Sequence, residues 1–165
     1  MTEVTTTYLE IRTLEDLKPK PAADARFAVR EVIIPQWQLN RFLYRYVGER
    51  WRWNDKRSWP DERWQRYVGS GDLRTFLGMI EGSIAGYYEL QKKGENIEIA
   101  YFGVTPEFIG HGVGGALLTS AIEHAFAWDG KRVWVHTCTR DHTAAMPNYL
   151  ARGMRVFSTS SEQRA

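Results

Sequence analysis

The sequence is poor in the features that mark several classes of protein. It has a single cysteine, Cys138, so no disulfide can form within the chain, and it has no apolar run long enough to cross a membrane. The formal net charge is only +2 over 165 residues, so composition favours neither an acidic nor a basic partner. The N-terminus also lacks the basic and apolar segments of a secretory signal. We therefore expect one cytoplasmic domain over residues 1–165, with 1–7 and 159–165 as loose tails.

The most informative stretch combines a strand, a glycine-rich loop and a helix. Residues 97–104 are rich in β-branched and aromatic side chains, and Glu98 is their only charge. Four glycines then precede or open a helical pattern: Gly110, Gly112, Gly114 and Gly115. The first amides of a helix lack internal partners and lie at the positive end of its dipole, so glycines there let a phosphate approach. The stretch predicts a phosphate-binding loop, and the alternative is a turn that only lets helix and strand pack closely.

Two common nucleotide motifs do not account for this loop. Gly110, Gly112 and Gly115 match G-x-G-x-x-G, but that dinucleotide motif sits at the end of an opening strand and is followed by further strand–helix units. Here five residues separate Val104 from Gly110, and little chain remains afterwards. No Gly-Lys-Ser/Thr sequence occurs, so the loop of nucleoside-triphosphate-binding proteins does not fit either.

The arrangement instead resembles the signature of the GNAT N-acetyltransferases. In that family a strand leads into Arg/Gln-x-x-Gly-x-Gly/Ala at a helix start, and residues 98–125 follow this pattern except that Ile109 stands at the Arg/Gln position. A second block, 133–157, contains Tyr-Leu-Ala-Arg-Gly-Met at 149–154, which is similar to the family's Tyr-x-x-x-Gly-Phe. His142 stands where an Asn often precedes the last helix. The resemblance covers most of the C-terminal half and is loose in the N-terminal half.

This resemblance implies acetyl-CoA as the co-substrate. In the family, backbone amides near the end of the central strand contact the thioester and pantetheine, and the loop amides bind the pyrophosphate. The matching cofactor-binding positions are Phe102, Gly103, Val104, Ile109, Gly110, His111, Gly112, Val113, Gly114, Gly115 and His142. As a hypothesis, His111 supplies the hydrogen-bond donor that is lost at Ile109.

Acetyl transfer to an amine requires an acceptor for the amine proton and a donor for the departing thiolate. Tyr149 matches the family's tyrosine that protonates the thiolate, and the alternative is that it only packs the last helix. Glu98 is the candidate general base, because a carboxylate in an apolar strand is desolvated and its pKa is raised. It can equally be an exposed residue of an alternating strand, with Glu89 and Glu31 as the fallback bases.

Histidines near the single cysteine suggest two further kinds of site. His136 and His142 lie on either side of Cys138, but their spacing does not fit a zinc site, so no metal is expected. A Cys138–His142 nucleophile pair is less favoured than ordinary packing of the cysteine. Either histidine remains open as a proton shuttle on the acceptor side.

Residues 37–67 combine tryptophans with arginines. Five of the seven tryptophans lie between Trp37 and Trp64. The resemblance places the first two helices along the acceptor site, so Trp37, Trp51 and Trp53 are the candidate substrate-binding residues. The alternatives are that these rings only pack this wall or that they stack nucleic-acid bases, and nucleic acid is not the expected partner.

The order of predicted elements fits the fold that the resemblance implies. We predict strands over 8–12, 26–34, 74–80, 83–91, 97–104 and 133–136, and helices over 36–47, near 60–68, after Val113 and from 143. The fold is an α/β (α+β) acetyltransferase fold, with a mixed, mostly antiparallel sheet flanked by helices and splayed central strands. The implied function is transfer of an acetyl group to a primary amine of a small-molecule or peptide acceptor, and homodimers are common in the family. Transfer of another acyl group, or a non-catalytic module that binds acyl-CoA or nucleic acid, remains the alternative.

Overall fold

A computed structural model describes all 165 residues as one sheet with helices on both faces. The strands are β1 (Thr2–Ile11), β2 (Ala28–Glu31), β3 (Leu73–Ile80), β4 (Ser83–Lys93), β5 (Asn96–Val104), β6 (Arg132–Cys138) and β7 (Arg155–Arg164). The helices are α1 (Trp37–Gly48), α2 (Asp61–Val68), α3 (Gly114–Ala127) and α4 (Ala145–Ala151). Each of these helices is too short or too polar to span a bilayer.

The seven strands form one sheet in the order β2-β3-β4-β5-β6-β1-β7. Every neighbouring pair is antiparallel except β5 and β6, which are parallel. The parallel pairing covers only residues 96–98 of β5 and 132–134 of β6, and the two strands diverge beyond them. The predicted mixed sheet with splayed central strands is therefore confirmed, and the middle of the sheet opens into a gap.

Helices cover the two faces of the sheet because both faces are apolar. On one face α3 packs with its apolar residues fully buried, among them Leu117, Leu118, Ala121 and Ile122. On the other face α1 and α2 bury Leu43, Val47 and Trp64 in two smaller clusters. The sheet is thus a central layer whose gap lies between two walls of helix.

The terminal segments that the sequence predicts as loose tails are paired strands. Residues 2–7 begin β1 and residues 159–164 end β7, and the two strands pair from Thr2 with Arg164 inwards. These segments consist mostly of Thr, Ser and charged residues, so no apolar alternation reveals them. Backbone hydrogen bonds to a neighbouring strand hold them, which a side-chain pattern cannot report.

The remaining predicted elements are present with shifted ends. The strand predicted over 26–34 is only Ala28–Glu31, because it pairs with β3 only over 76–79. The predicted hairpin between β3 and β4 is confirmed, and its two turn residues, Glu81 and Gly82, both have positive φ as the tightest hairpin turns require.

A β-bulge in β5 sets the direction of the side chains around the gap. Tyr101 pairs with Glu89 and Ile99 pairs with Leu90, so Ala100 is an extra residue in β5. Because of this bulge, Glu98 and Tyr101 both face the α1–α2 side of the sheet despite their odd spacing. A strand without the bulge would direct them to opposite faces.

A buried carboxylate ties α1 and α2 to the sheet. Glu89 is fully buried, and it accepts hydrogen bonds from the Tyr67 hydroxyl at 2.6 Å and the Asn40 amide at 3.0 Å. The same Asn40 nitrogen donates to the Thr75 hydroxyl at 2.8 Å. Burial raises the pKa of Glu89, while the hydrogen bonds from Tyr67 and Asn40 act to lower it.

This raised pKa predicts a specific pH dependence of stability. Between the ordinary pKa of a glutamate and the raised one, the folded state keeps a proton that the unfolded state has lost, so the contribution of Glu89 falls as pH rises. The variant Glu89→Gln has no proton to lose. Its free energy of unfolding relative to wild type should therefore increase with pH, by at most about 1.4 kcal/mol per pH unit.

Urea unfolding of both proteins from pH 4.5 to pH 8 measures this difference. The matched control is Glu95→Gln, which removes a mostly exposed glutamate outside the buried network. A difference in unfolding free energy between Glu89→Gln and wild type that does not change with pH would contradict the raised pKa.

Candidate active site

A cleft of about 1080 Å³ occupies the gap between β5 and β6. This volume is at the upper end of small-ligand pockets and suits an extended cofactor with an acceptor beside it. Residues 99–104 of β5 and 135–138 of β6 line its middle, and the glycine loop lines one end. Residues 51–55 of the α1–α2 loop line the other end, so the cleft crosses the sheet.

The glycine loop presents free backbone amides at the first turn of α3. Gly110 and Gly112 have φ of +85° and +72°, a conformation that glycine adopts without strain. The first amide of this turn with a backbone partner is that of Leu117, which donates to the Val113 carbonyl at 2.9 Å. The amides of Gly114 and Gly115 are therefore available to an anion, which is the arrangement that phosphate groups bind at helix N-termini.

Two cationic side chains that the sequence analysis missed lie against this turn. A Cβ atom placed on Gly115 would come within 2.6 Å of both the Arg152 guanidinium and the Lys20 side chain. The Lys20 amide is fixed by a hydrogen bond to the Thr119 hydroxyl at 3.0 Å. Neither side chain pairs with a carboxylate, and the Arg152 Nε is buried without a partner. The spacing of residues in the sequence does not place Lys20 near the glycine loop, because only the fold brings the two segments together.

Both departures from the family pattern, Ile109 and His142, line the cleft, whereas the hypothesised donor His111 does not. Ile109 lines the cleft with an aliphatic side chain, whereas His111 does not line it and packs edge-on against the ring of Phe108 at 6.0 Å. His142 lines the cleft, and its Nδ1 accepts a hydrogen bond from the Ala144 amide at 2.9 Å just before α4. An asparagine side chain can accept the same kind of bond at a helix start.

The end of β5 provides the surface along which an extended ligand can lie. Phe102, Gly103 and Val104 line the cleft, and β4 pairs with β5 on the opposite edge as far as Val104. The edge of β5 that faces β6 has no strand partner beyond Glu98, so its backbone groups are open to a ligand. A side chain at Gly103 would overlap Val47, so glycine lets α1 pack directly on this strand.

Tyr149 lies in the cleft with its hydroxyl unpaired. It is only 5% exposed, and its ring packs edge-on against Phe102 with centroids 6.2 Å apart. No group of the chain hydrogen-bonds its hydroxyl, although the residue lines the cleft. Burial raises the pKa of Tyr149, and the negative charge of Asp141 adds to the shift, so the phenol stays protonated at neutral pH.

Glu98 lies close to a histidine that lines the cleft. Its carboxylate lies 4.0 Å from the Nε2 of His136, and His136 lines the cleft whereas Glu98 does not. Burial raises the pKa of Glu98, which brings it nearer to neutral pH, and lowers that of His136, which keeps the imidazole neutral. The fallback bases are elsewhere: Glu89 is held in its buried network, and Glu31 pairs with Arg74 at 2.6 Å on the edge strand β2.

The other end of the cleft is aromatic and has one carboxylate, Asp55, with Arg52 in the same loop segment. Trp51 and Trp53 line it, and Trp51 packs edge-on against His142 at 4.9 Å. Asp55 lines it too and accepts hydrogen bonds from the hydroxyls of Tyr101 and Tyr44. Burial acts to raise the pKa of Asp55, but the bond from Tyr101 and the charge of Lys56 outweigh burial, so the pKa is lowered and the carboxylate stays charged.

One predicted substrate-binding residue lies outside the cleft. Trp37 packs against the cluster of Tyr44 and Trp64, with the Arg41 guanidinium over its ring at 4.7 Å. Its apolar environment is that of a residue packing α1 onto α2, so its position gives no support to a role in acceptor binding.

The residues around Cys138 do not assemble as a nucleophile or a metal site. Asp141 accepts hydrogen bonds from the Cys138 amide and the Thr137 hydroxyl, which fixes the end of β6. No group of three or more His, Cys, Asp and Glu side chains is close enough to hold a metal ion.

Several solved structures share this fold at low sequence identity. A GCN5-related N-acetyltransferase from Sphaerobacter thermophilus aligns with a TM-score of 0.70 and 19% identity over 94% of this chain and 49% of its own. A GCN5-related N-acetyltransferase from Kribbella flavida aligns with a TM-score of 0.68 and 15% identity over 95% of this chain and 56% of its own. An IAA acetyltransferase from Bacillus cereus aligns with a TM-score of 0.61 and 22% identity over 80% of this chain and 79% of its own. The chain thus spans about half the length of the first two proteins.

Sequence comparison gives the family directly. No curated protein matches the chain in sequence. The model of the acetyltransferase (GNAT) family matches residues 35–154, which include the α1–α2 wall, the glycine loop and the end of α4. Because this match covers most of the chain and the fold agrees with it, the protein belongs to the GNAT family of acetyltransferases.

Proposed function

We propose that the protein transfers an acetyl group from acetyl-CoA to a primary amine of a small molecule by direct attack. The observation that carries the proposal is one continuous cleft with unpaired helix amides at one end, Tyr149 in its middle and Asp55 at the other end. Each of the three places matches one requirement of the reaction: an anion site, a proton donor and a site for a cationic amine.

The residues around the gap fit the parts of acetyl-CoA. The amides of Gly114 and Gly115, with Lys20 and Arg152, would hold phosphate groups. The open edge of β5 beyond Glu98 would hydrogen-bond the amides of the pantetheine arm, as a neighbouring strand does. When bound, the cofactor supplies the activated thioester carbonyl that the amine attacks.

The proton leaves the amine on the α1–α2 side of the sheet. His136 lines the cleft and is backed by Glu98, so we assign proton acceptance to this pair. The lowered pKa of His136 keeps its ring neutral and able to accept a proton, and the carboxylate then stabilises the imidazolium that forms. Tyr149 donates a proton to the departing thiolate, because its hydroxyl is protonated and has no competing partner.

The acceptor end favours an amine attached to a flat or apolar group. Asp55 is a charged carboxylate between the hydroxyls of Tyr44 and Tyr101, which suits an ammonium group. Trp51 and Trp53 offer ring faces for the rest of the molecule. An aminoglycoside acetyltransferase from an uncultured soil metagenomic sample aligns with a TM-score of 0.64 and 15% identity over 78% of this chain and 88% of its own, which supports a small-molecule acceptor.

A panel of small primary amines tests the proposal. With acetyl-CoA and the purified protein, at least one amine should release free CoA thiol at a rate that rises with amine concentration and saturates. The N-acetylated form of the same amine is the control and should release none. Tight binding of acetyl-CoA without thiol release from any amine would favour a non-catalytic acyl-CoA-binding module.

The substitution Tyr149→Phe tests the proposed general acid. It keeps the ring that packs against Phe102 and removes only the hydroxyl, so the fold and cofactor affinity should be unchanged. We expect kcat to fall by about 100-fold while the Kd for acetyl-CoA stays within a factor of about two. Steady-state kinetics and calorimetry measure the two quantities separately. An unchanged kcat would show that Tyr149 only packs α4.

The substitutions Lys20→Ala and Arg152→Ala test the phosphate end. Each removes one charge-assisted hydrogen bond, so each should weaken CoA binding by about tenfold or more. Binding of pantetheine, which has no such phosphates, should not change. The control is His111→Ala, which alters the loop sequence but lies outside the cleft and should leave both affinities unchanged. Loss of CoA affinity in His111→Ala alone would restore the hypothesis that His111 compensates for Ile109.

A further inference from the structure

A lysine side chain of the α1–α2 loop is enclosed by aromatic rings. The Nζ of Lys56 lies 4.5 Å from the ring centroid of Trp59, 4.9 Å from that of Tyr67 and 4.8 Å from that of Tyr101. It also donates hydrogen bonds to the Tyr101 hydroxyl at 3.0 Å and to Asp55 at 3.3 Å. Three ring faces around one ammonium form a cation-binding cage, and the side chain is only 13% exposed.

Two walls of this cage are held in place without Lys56. Tyr67 belongs to α2, and its hydroxyl is fixed by the buried Glu89 at 2.6 Å. Tyr101 belongs to β5, and its ring packs against those of Trp53 at 5.0 Å and Tyr44 at 5.4 Å. The third wall, Trp59, belongs to the loop and packs edge-on against Trp64 at 5.4 Å and Tyr67 at 5.5 Å. The sheet and α2 therefore preform two walls, and the loop adds the third wall and the cation.

The charges around the cage also call for a cation. The positive charge of Lys56 acts to lower the pKa of three carboxylates: Asp55 on its own loop, Glu89 on β4 and Glu98 on β5. Lys93 is the other cation that acts on Glu98. Without Lys56, three acidic groups would share this region with little compensation, so the site attracts any ammonium that can enter it.

The cage adjoins the acceptor end of the cleft. Tyr101 and Asp55 contact the Lys56 ammonium on one side, and both line the cleft. The loop backbone at Lys56 is fixed separately, by a hydrogen bond from its amide to the Tyr44 hydroxyl at 3.0 Å. The four-carbon stem can therefore rotate out of the cage while the loop stays in place.

We propose that this cage is an alkylammonium-binding subsite of the acceptor cleft and that Lys56 is its internal, displaceable occupant. An ammonium group of the acceptor, distinct from the amine that is acetylated, enters past Asp55 and replaces the lysine ammonium between the three rings. The identity of this occupant rests on the proposed function, whereas the cation selectivity of the cage rests on its geometry alone.

The variant Lys56→Ala gives a direct test with a defined probe. The substitution removes three methylenes and an ammonium, which together correspond to n-propylammonium. Calorimetry should show n-propylammonium binding to Lys56→Ala about tenfold or more tighter than to wild type, because the lysine no longer competes. The neutral analogue 1-propanol is the matched control and should bind at least about tenfold more weakly than n-propylammonium. Lys93→Ala, which removes another cation near Glu98, should bind n-propylammonium no more tightly than wild type.

Three results would overturn the proposal. The first is that n-propylammonium does not bind to folded Lys56→Ala. The second is that n-propylammonium binds the variant and the wild type with equal affinity. The third is that 1-propanol binds the variant as tightly as n-propylammonium does. Circular dichroism and thermal unfolding report whether the variant is folded, and they depend neither on CoA binding nor on the cage. Failure of CoA binding or of the acetyl-transfer assay would therefore not be confused with failure of this proposal.

A measurement on the wild-type chain keeps the proposal testable if the variant does not fold. The Cε protons of Lys56 lie among three aromatic rings, whose ring currents should shift their NMR signals upfield. Titration with n-propylammonium should move these signals towards the positions of an exposed lysine, and 1-propanol should not. Signals that stay unchanged at saturating n-propylammonium would show that Lys56 is not displaceable.

Discussion

The site depends on the short parallel pairing between β5 and β6. These strands pair over only three residues each and then separate, which leaves one edge of β5 without a partner in the middle of an otherwise continuous sheet. A strand edge with unsatisfied backbone groups is normally avoided or covered. Here the edge lies between α3 on one face and α1 and α2 on the other, so a ligand can reach it only by entering the gap. The gap is thus both the opening in the fold and the template for an extended ligand.

Charge is distributed unevenly along the cleft that this gap creates. The α3 end has free amides with Lys20 and Arg152. The α1–α2 end has Asp55 and Arg52, and Glu98 lies near the cleft residue His136 on the same face of the sheet. The proposed cofactor phosphates use the first end, and the proposed acceptor ammonium uses Asp55 at the second. The bulge at Ala100 contributes to this separation, because it directs Glu98 and Tyr101 to the same face.

The sequence predicted the parts of the fold and the site that depend on local patterns. The glycine loop, the strand before it and Tyr149 were found because each lies in a short motif with fixed spacing. The terminal strands were missed because their Thr- and Ser-rich residues have no apolar alternation, and only pairing between distant segments holds them. Lys20 and the Lys56 cage were missed for a similar reason. Lys20 reaches the loop through the path of the chain after β1, and the cage combines residues of β5, α2 and a loop.

Pattern reasoning also placed one residue too close to the site. Trp37 was grouped with Trp51 and Trp53 because all three are tryptophans near arginines. The helix that carries Trp37 directs it to the packing between α1 and α2, whereas the loop carries the other two to the cleft. Composition identified the aromatic wall, but only the fold separates the rings that pack from the rings that face a ligand.

Titration calorimetry with acetyl-CoA, free CoA and NADH shows whether the gap and the glycine loop form the proposed site for acetyl-CoA. We expect about micromolar binding of acetyl-CoA and CoA and no binding of NADH, because the cleft offers free amides at a helix start without the further strand–helix units of a dinucleotide fold. Absence of CoA binding by the folded protein would contradict this proposal and leave the glycine loop as a packing turn.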